Sequence, residues 1–135
     1  MKAVNFRIIL ASSMLVLFGL VMMSYVAPQK AWEVPAKFKT MKNPVKADAT
    51  SQAAGKELWN KNCASCHGKA GLGDGVKART LESNPGNFSK DLNSQADGDL
   101  FYKTKTGRGE MPKYEGKLAD DEVWNVINYM RTFKK

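Results

Sequence analysis

From Ile8 to Val26 the chain runs nineteen residues without a charge. As a helix, such a run is roughly 28 Å long at about 1.5 Å per residue, close to the hydrocarbon thickness of a bilayer. It reads either as a membrane anchor or as the apolar core of a signal peptide. Ala27 offers a cleavage position, but Tyr25 is bulky where a small residue is wanted, which favours the anchor. Residues 28–49 then change character. Pro28, Pro35 and Pro44 interrupt any helix, and lysines outnumber acids, so the segment reads as a tether. Trp32, Val34, Phe38, Met41 and Val45 are too apolar for a free linker, and part of it is expected to pack on the following domain or on a partner.

Residues 50–135 carry a helical period and nothing that alternates as a strand. Thr50 or Ser51 is placed to cap a helix running to about Cys66, with Ala54, Leu58, Trp59 and Cys63 near one stripe. The stretch from Gly68 to Asp97 is rich in Gly, Asn and Ser and reads as loop. Asp97 or Asp99 caps a short helix that Gly107 ends. A last helix begins near Asp120, where Asp120, Asp121 and Glu122 suit the positive end of the helix dipole. Val123, Ile127, Met130 and Phe133 share one face of it, extended by Val126 and Tyr129. The expected organisation is thus 1–27 anchor or signal peptide, 28–49 tether and 50–135 an all-α domain.

Charge adds one constraint. The 135 residues hold 21 Lys plus Arg against 13 Asp plus Glu, a formal net charge of +8. Such a balance suits nucleic acid, anionic lipid or acidic protein partners. No zinc-finger spacing, arginine-rich run or RNA-binding aromatic motif is present, which argues against nucleic acid.

The chemistry concentrates in Cys63-Ala64-Ser65-Cys66-His67, which contains both cysteines and the only histidine. C-x-x-C-H is the signature of c-type haem attachment. Two thiols three positions apart on a helical turn each add to one haem vinyl group, and the next residue turns an imidazole to the iron. A thioredoxin-like dithiol needs a βαβ setting, and a zinc site needs further Cys or His ligands; the chain supplies neither. One covalently bound haem c is the expected cofactor.

A second histidine ligand is unavailable, so the sixth iron position falls to methionine, to lysine or to none. Met1, Met14, Met22 and Met23 lie in or before the apolar run and Met41 in the tether, while Met130 belongs to the apolar face of the last helix. Met111 remains, in Gly107-Arg108-Gly109-Glu110-Met111-Pro112, an irregular loop able to lay a thioether over the haem. Thioether ligation raises the reduction potential and suits an electron carrier. Leu81, Leu100, Phe101 and Tyr102 are candidates for the pocket wall. Lys61, Lys69, Lys103, Lys105, Arg108, Lys113 and Lys117 are candidates for a basic ring that steers the domain to acidic partners. With a labile sixth ligand the domain would instead serve as a haem-based sensor or a peroxidase-like protein.

With CASCHG at 63–68, GRGEMP at 107–112 and a first and last helix bearing Gly55, Trp59, Val126 and Tyr129, the sequence from about Gln52 to Phe133 resembles the class I c-type cytochromes. The loop Gly71-Leu72-Gly73-Asp74-Gly75 is similar to a variant common in small bacterial members. The resemblance implies the class I cytochrome c fold, crossed first and last helices, and single-electron transfer rather than catalysis. It also implies a proline carbonyl in the loop after the histidine, where Val76 and Arg79 stand at the expected positions. Haem attachment in this family takes place outside the cytoplasm. The resemblance therefore implies a bacterial inner membrane protein with its haem domain on the periplasmic side, or a periplasmic one if the leader is removed. Its donors and acceptors would be a quinol-oxidising complex, a terminal oxidase or a dehydrogenase.

Overall fold

The computed structural model describes residues 31–133, and every regular element among them is helical. α1 is a single turn, Ala36–Lys39, entered from Pro35. α2 spans Ala49–Asn62 and is capped by Asp48. The Asp48 carboxylate accepts the Ser51 N–H at 3.0 Å, and the Ser51 hydroxyl oxygen accepts the Asp48 N–H at 3.2 Å. This reciprocal pair satisfies two backbone donors at the helix start. The start therefore precedes the expected Thr50 or Ser51 cap, because Ser51 already lies in the first turn with its hydroxyl buried.

α2 does not run through to Cys66. Cys63 departs from helical geometry at φ −118°, and α3 is a separate turn, Ala64–His67. After a long irregular stretch, α4 covers Phe88–Asp91 and α5 covers Asp97–Thr106. The Asp99 carboxylate accepts the Ala96 N–H at 3.0 Å, and Gly107, at φ 63°, ends the helix as expected. α6 spans Asp120–Met130, where Glu122 accepts the Ala119 N–H at 2.8 Å, and a 3₁₀ turn, Arg131–Phe133, follows.

The core lies where α2 crosses α6. A β-carbon on Gly55 would fall 2.0 Å from the Asn125 carbonyl oxygen, so the two backbones meet with no room for a side chain. Around the crossing Trp59, Val123, Trp124, Val126, Ile127 and Met130 are buried, joined by Leu92, Leu100 and Phe101. Each such side chain contributes about 1.5–3 kcal/mol when taken from water. Of the expected face, Val123, Val126, Ile127 and Met130 are buried in α6, with Trp124 and Asn128 added, while Tyr129 and Phe133, the latter in the 3₁₀ turn, are half-buried.

The chain before α2 packs as a strap over α5 and α6, as its apolar residues suggested. Phe38 lies 4.8 Å from the Tyr102 ring and 6.4 Å from Phe101, which in turn stacks on Trp124 at 4.2 Å. The Asn43 side-chain amide donates to the Trp124 carbonyl and to Asn128 Oδ1, and Asn128 donates to the Val45 and Lys46 carbonyls and to Ser51 Oγ. The unit that contains the helices begins at Glu33. Among the described residues no helix is long and apolar enough to cross a membrane. The anchor or signal segment expected at 1–27 lies outside the described residues.

Candidate functional site

The break at Cys63 shapes the site. It sets the α3 turn at the end of α2, where the N–H groups of Cys66 and His67 both bond the Cys63 carbonyl, at 3.2 and 3.0 Å. Cys63, Cys66 and His67 thus share one turn. Both thiols are free and half-buried. Burial, with Cys66 close by, pushes the Cys63 thiol up to about 12. An apolar site of that kind opposes a thiolate and accepts a neutral thioether.

The His67 imidazole is held by rings. Phe88 stacks on it at 4.9 Å and 22°, and Trp59 lies 5.8 Å away. Trp59 is itself fixed, its indole N–H donating to the Gly68 carbonyl at 3.0 Å and its ring packed by Phe133 at 5.1 Å. Burial holds the imidazole below its ordinary range, and the Pro85 backbone opposes that shift. Proline has no N–H, so its carbonyl exerts this pull. Nδ1 is buried and meets no acceptor at hydrogen-bond geometry among the described residues, so the Pro85 carbonyl acts as a nearby dipole rather than a formed bond. The expectation that Val76 and Arg79 stand in place of a proline is corrected: both are exposed, and the proline whose backbone acts on the ring is Pro85. The chain first makes the turn Ala78–Thr80 and only then returns to the imidazole, a path that spacing along an irregular loop does not reveal.

Met111 is half-buried in a tight turn in which Arg108 and Met111 exchange two backbone bonds of 3.0 Å. Gly109, at φ 57°, takes the first central position, where a type II′ turn requires a positive φ. The segment 83–85 serves both regions. The Ser83 N–H donates at 3.2 Å to Glu110, the residue before Met111, while Pro85 acts on His67. On the far side Tyr114 is buried and donates its hydroxyl to the Asn62 carbonyl at 2.6 Å. Burial, with Cys63 and Cys66 nearby, pushes this phenol up to about 12. Met111 therefore lies between two tied positions along its loop, Glu110 bonded to Ser83 and Tyr114 bonded to Asn62, the residue before Cys63.

Two groups of expected residues are redistributed. Leu100 and Phe101 are both buried in the core, Phe101 stacked on Trp124, while the Tyr102 ring packs on Phe38 of the strap. Of the basic ring, Lys105 pairs with Asp120 at 2.6 Å and Lys113 with Glu115 at 2.9 Å, while Lys103 turns in to Gln95. Lys61, Lys69, Arg108 and Lys117 stay exposed. Phe88, Pro85 and Tyr114 carry no signal in the sequence beyond an aromatic and a proline inside loops.

The donor set suits one prosthetic group. Two thiols and an imidazole on a single turn, in surroundings that keep the Cys63 thiol neutral, fit covalent haem with His67 as an iron ligand. The family described as cytochrome c oxidase, cbb3-type, subunit III matches residues 50–130. Cytochrome c6 of Leptolyngbya boryana is 33% identical over 78 residues, covering 58% of this chain and 87% of that protein. The cytochrome bc1 complex cytochrome c subunit of Corynebacterium diphtheriae is 28% identical over 89 residues, covering 65% of this chain and 29% of that protein. Among solved structures, a chain of the reducing HAO-like protein complex of Kuenenia stuttgartiensis superposes with a TM-score of 0.63 at 24% identity. It covers 82% of this chain, which spans about half, 53%, of that longer chain. The helical fold, the cysteine–histidine turn and these relatives together place the chain in the cytochrome c family matched by cbb3-type oxidase subunit III, as a class I monohaem electron carrier with one covalently bound haem c.

Proposed function

We propose that the domain carries single electrons with His67 and Met111 as the two axial iron ligands, and that it does so on the periplasmic side of a bacterial inner membrane. Haem c, when bound, supplies an iron that gains and loses one electron. The chain's own residues hold that iron's surroundings still. Phe88 and Trp59 pack on the imidazole and hold its plane, the Pro85 backbone acts on the same ring, and Cys63 and Cys66 would bond the porphyrin edge. The observation that carries the axial pair is the segment 83–85, which links the Met111 turn to the histidine.

Residues 1–27 would tether the domain as an anchor helix, or direct export if removed. The nineteen uncharged residues from Ile8 to Val26 support the anchor. Its partners would be a quinol-oxidising complex, a terminal oxidase or a dehydrogenase, met through acidic surfaces. That reading draws on the +8 charge and on a relative named as a subunit of a bc1 complex.

Spectroscopy of the purified holoprotein tests the ligand pair. The ferric form should show the weak long-wavelength charge-transfer band of a methionine–iron bond, and Met111→Ala should abolish it. That variant should also lower the reduction potential by a sizeable part of the roughly 0.8 V that axial ligands span. Rapid carbon monoxide binding by the unaltered ferrous protein would instead establish a labile sixth position and the sensor or peroxidase-like reading.

A further inference from the structure

Haem attachment leaves Tyr114 without a task, yet its side chain is buried and its hydroxyl donates to the Asn62 carbonyl at 2.6 Å. That acceptor exists because the chain breaks at Cys63. In a helix running on, the Asn62 carbonyl would take the Cys66 N–H four residues later. The Cys66 N–H instead bonds the Cys63 carbonyl at 3.2 Å. The last residue of α2 thus presents an open acceptor, and the tyrosine hydroxyl fills it.

The phenol is aimed from a fixed backbone. The Tyr114 N–H bonds the Thr104 carbonyl of α5 at 3.3 Å, and the Tyr114 carbonyl accepts the Lys117 and Leu118 N–H groups, each at 3.0 Å. Two residues, Pro112 and Lys113, separate it from Met111, and proline holds its own φ near −65°. A displacement of the Met111 turn is therefore passed to Tyr114 with little slack. On the other side of Met111, the Ser83 N–H bonded to Glu110 is exposed. Water replaces an exposed bond readily, whereas breaking one made by a buried hydroxyl leaves polar groups without partners.

We propose that the Tyr114 hydroxyl is a positioning group for the sixth iron ligand: its bond to the Asn62 carbonyl latches the Met111 loop to the end of α2, one residue before Cys63, and sets how often that loop opens. This rests on the reading of Met111 as an axial ligand and adds what keeps it in place. The hydroxyl has one hydrogen, and the Asn62 carbonyl takes it. Tyr114 therefore acts through the position of the loop and not by donating to the thioether.

Carbon monoxide binding to the reduced holoprotein tests the latch. At low carbon monoxide the rate tracks the fraction of molecules with the loop open. Tyr114→Phe keeps the ring and removes the bond, and should raise that rate about three- to tenfold, the range of one intramolecular hydrogen bond. Met111→Ala sets the fully open limit and should be faster still. Asn128→Ala, which breaks bonds to Ser51 at the opposite end of α2, should lower the urea midpoint and leave the rate unchanged. An unaltered rate in Tyr114→Phe would overturn the latch, and so would an equal rise in Asn128→Ala, which would mark the effect as general destabilisation. A shifted reduction potential in Tyr114→Phe with an unaltered rate would also overturn it, since the phenol would then act on the haem and not on the loop. Rapid binding by the unaltered protein, unchanged in Met111→Ala, would instead overturn the reading of Met111 as a ligand.

Discussion

Gly98 meets Phe38 backbone to backbone: a β-carbon on Gly98 would lie 1.8 Å from the Phe38 carbonyl oxygen and 2.9 Å from Met41 Cβ. Position 98, in the first turn of α5, is thus where the strap crosses the helix. Gly98→Ala gains about 1 kcal/mol of helix propensity. The clash is with backbone, which yields poorly, and overpacking of this kind costs about 1–3 kcal/mol. The expected net result is a loss of stability of about 1–2 kcal/mol, read from the urea midpoint of the holoprotein. A gain would mean that the strap is not held there.

Asn128 is the polar centre of the strap's attachment. Its side-chain amide donates to the Val45 and Lys46 carbonyls and to Ser51 Oγ, and its carbonyl accepts from Asn43. Asn128→Ala leaves several of these buried groups without partners, at a cost of about 1–3 kcal/mol. Because the loss is local, trypsin should cut sooner after Lys37, Lys39, Lys42 and Lys46 than in the unaltered protein. Unchanged cleavage kinetics would refute the attachment.

Arg131 closes the other side of the domain. Its guanidinium bonds Asp97 Oδ1 from Nε at 2.7 Å and also from Nη2, and it reaches the Leu92 and Gln95 carbonyls at 2.8 Å. Lysine keeps the charge but lacks the planar fork. Arg131→Lys is therefore expected to lose nearly as much stability as Arg131→Ala, on the order of 1–3 kcal/mol by thermal unfolding. Full rescue by lysine would show that charge alone matters at this position.

Asp48 links stability to acid. The Ser51 N–H bonded to it holds its carboxyl below the ordinary value of 3.8. With the folded pKa depressed, the contribution is present above the unfolded value and is lost as pH falls through the lower folded one. Asp48→Asn keeps an acceptor oxygen without the proton equilibrium. The variant's urea midpoint should fall less steeply than that of the unaltered protein below about pH 4. Parallel acid limbs would exclude this cap as a source of the pH dependence.

Patterns confined to one turn or one helix were legible along the chain. The α6 face of Val123, Val126, Ile127 and Met130 is buried as its period required, and Gly107 ends α5. Cys63, Cys66 and His67 share a turn because neighbours three and four apart in a helical turn always do. Pro85 and Phe88 were not legible: they reach His67 across an irregular loop, where separation along the chain says little about separation in space. Asn128 escaped notice for a related reason, since a polar residue on an apolar face declares its purpose only when its partners at 43–51 come into view.

The local chemistry of attachment, two thiols and an imidazole, was written in five consecutive residues and needed no partner from elsewhere in the chain. What surrounds that turn came only with folding: the cluster of rings packed on His67, the strap over α5, and the loop that carries Val76 along the carbonyls of residues 65–67. The difference is physical. Helical periodicity and motif spacing are set by bonds between near neighbours, whereas each of these contacts depends on a chain reversal whose path is chosen by packing over the whole core.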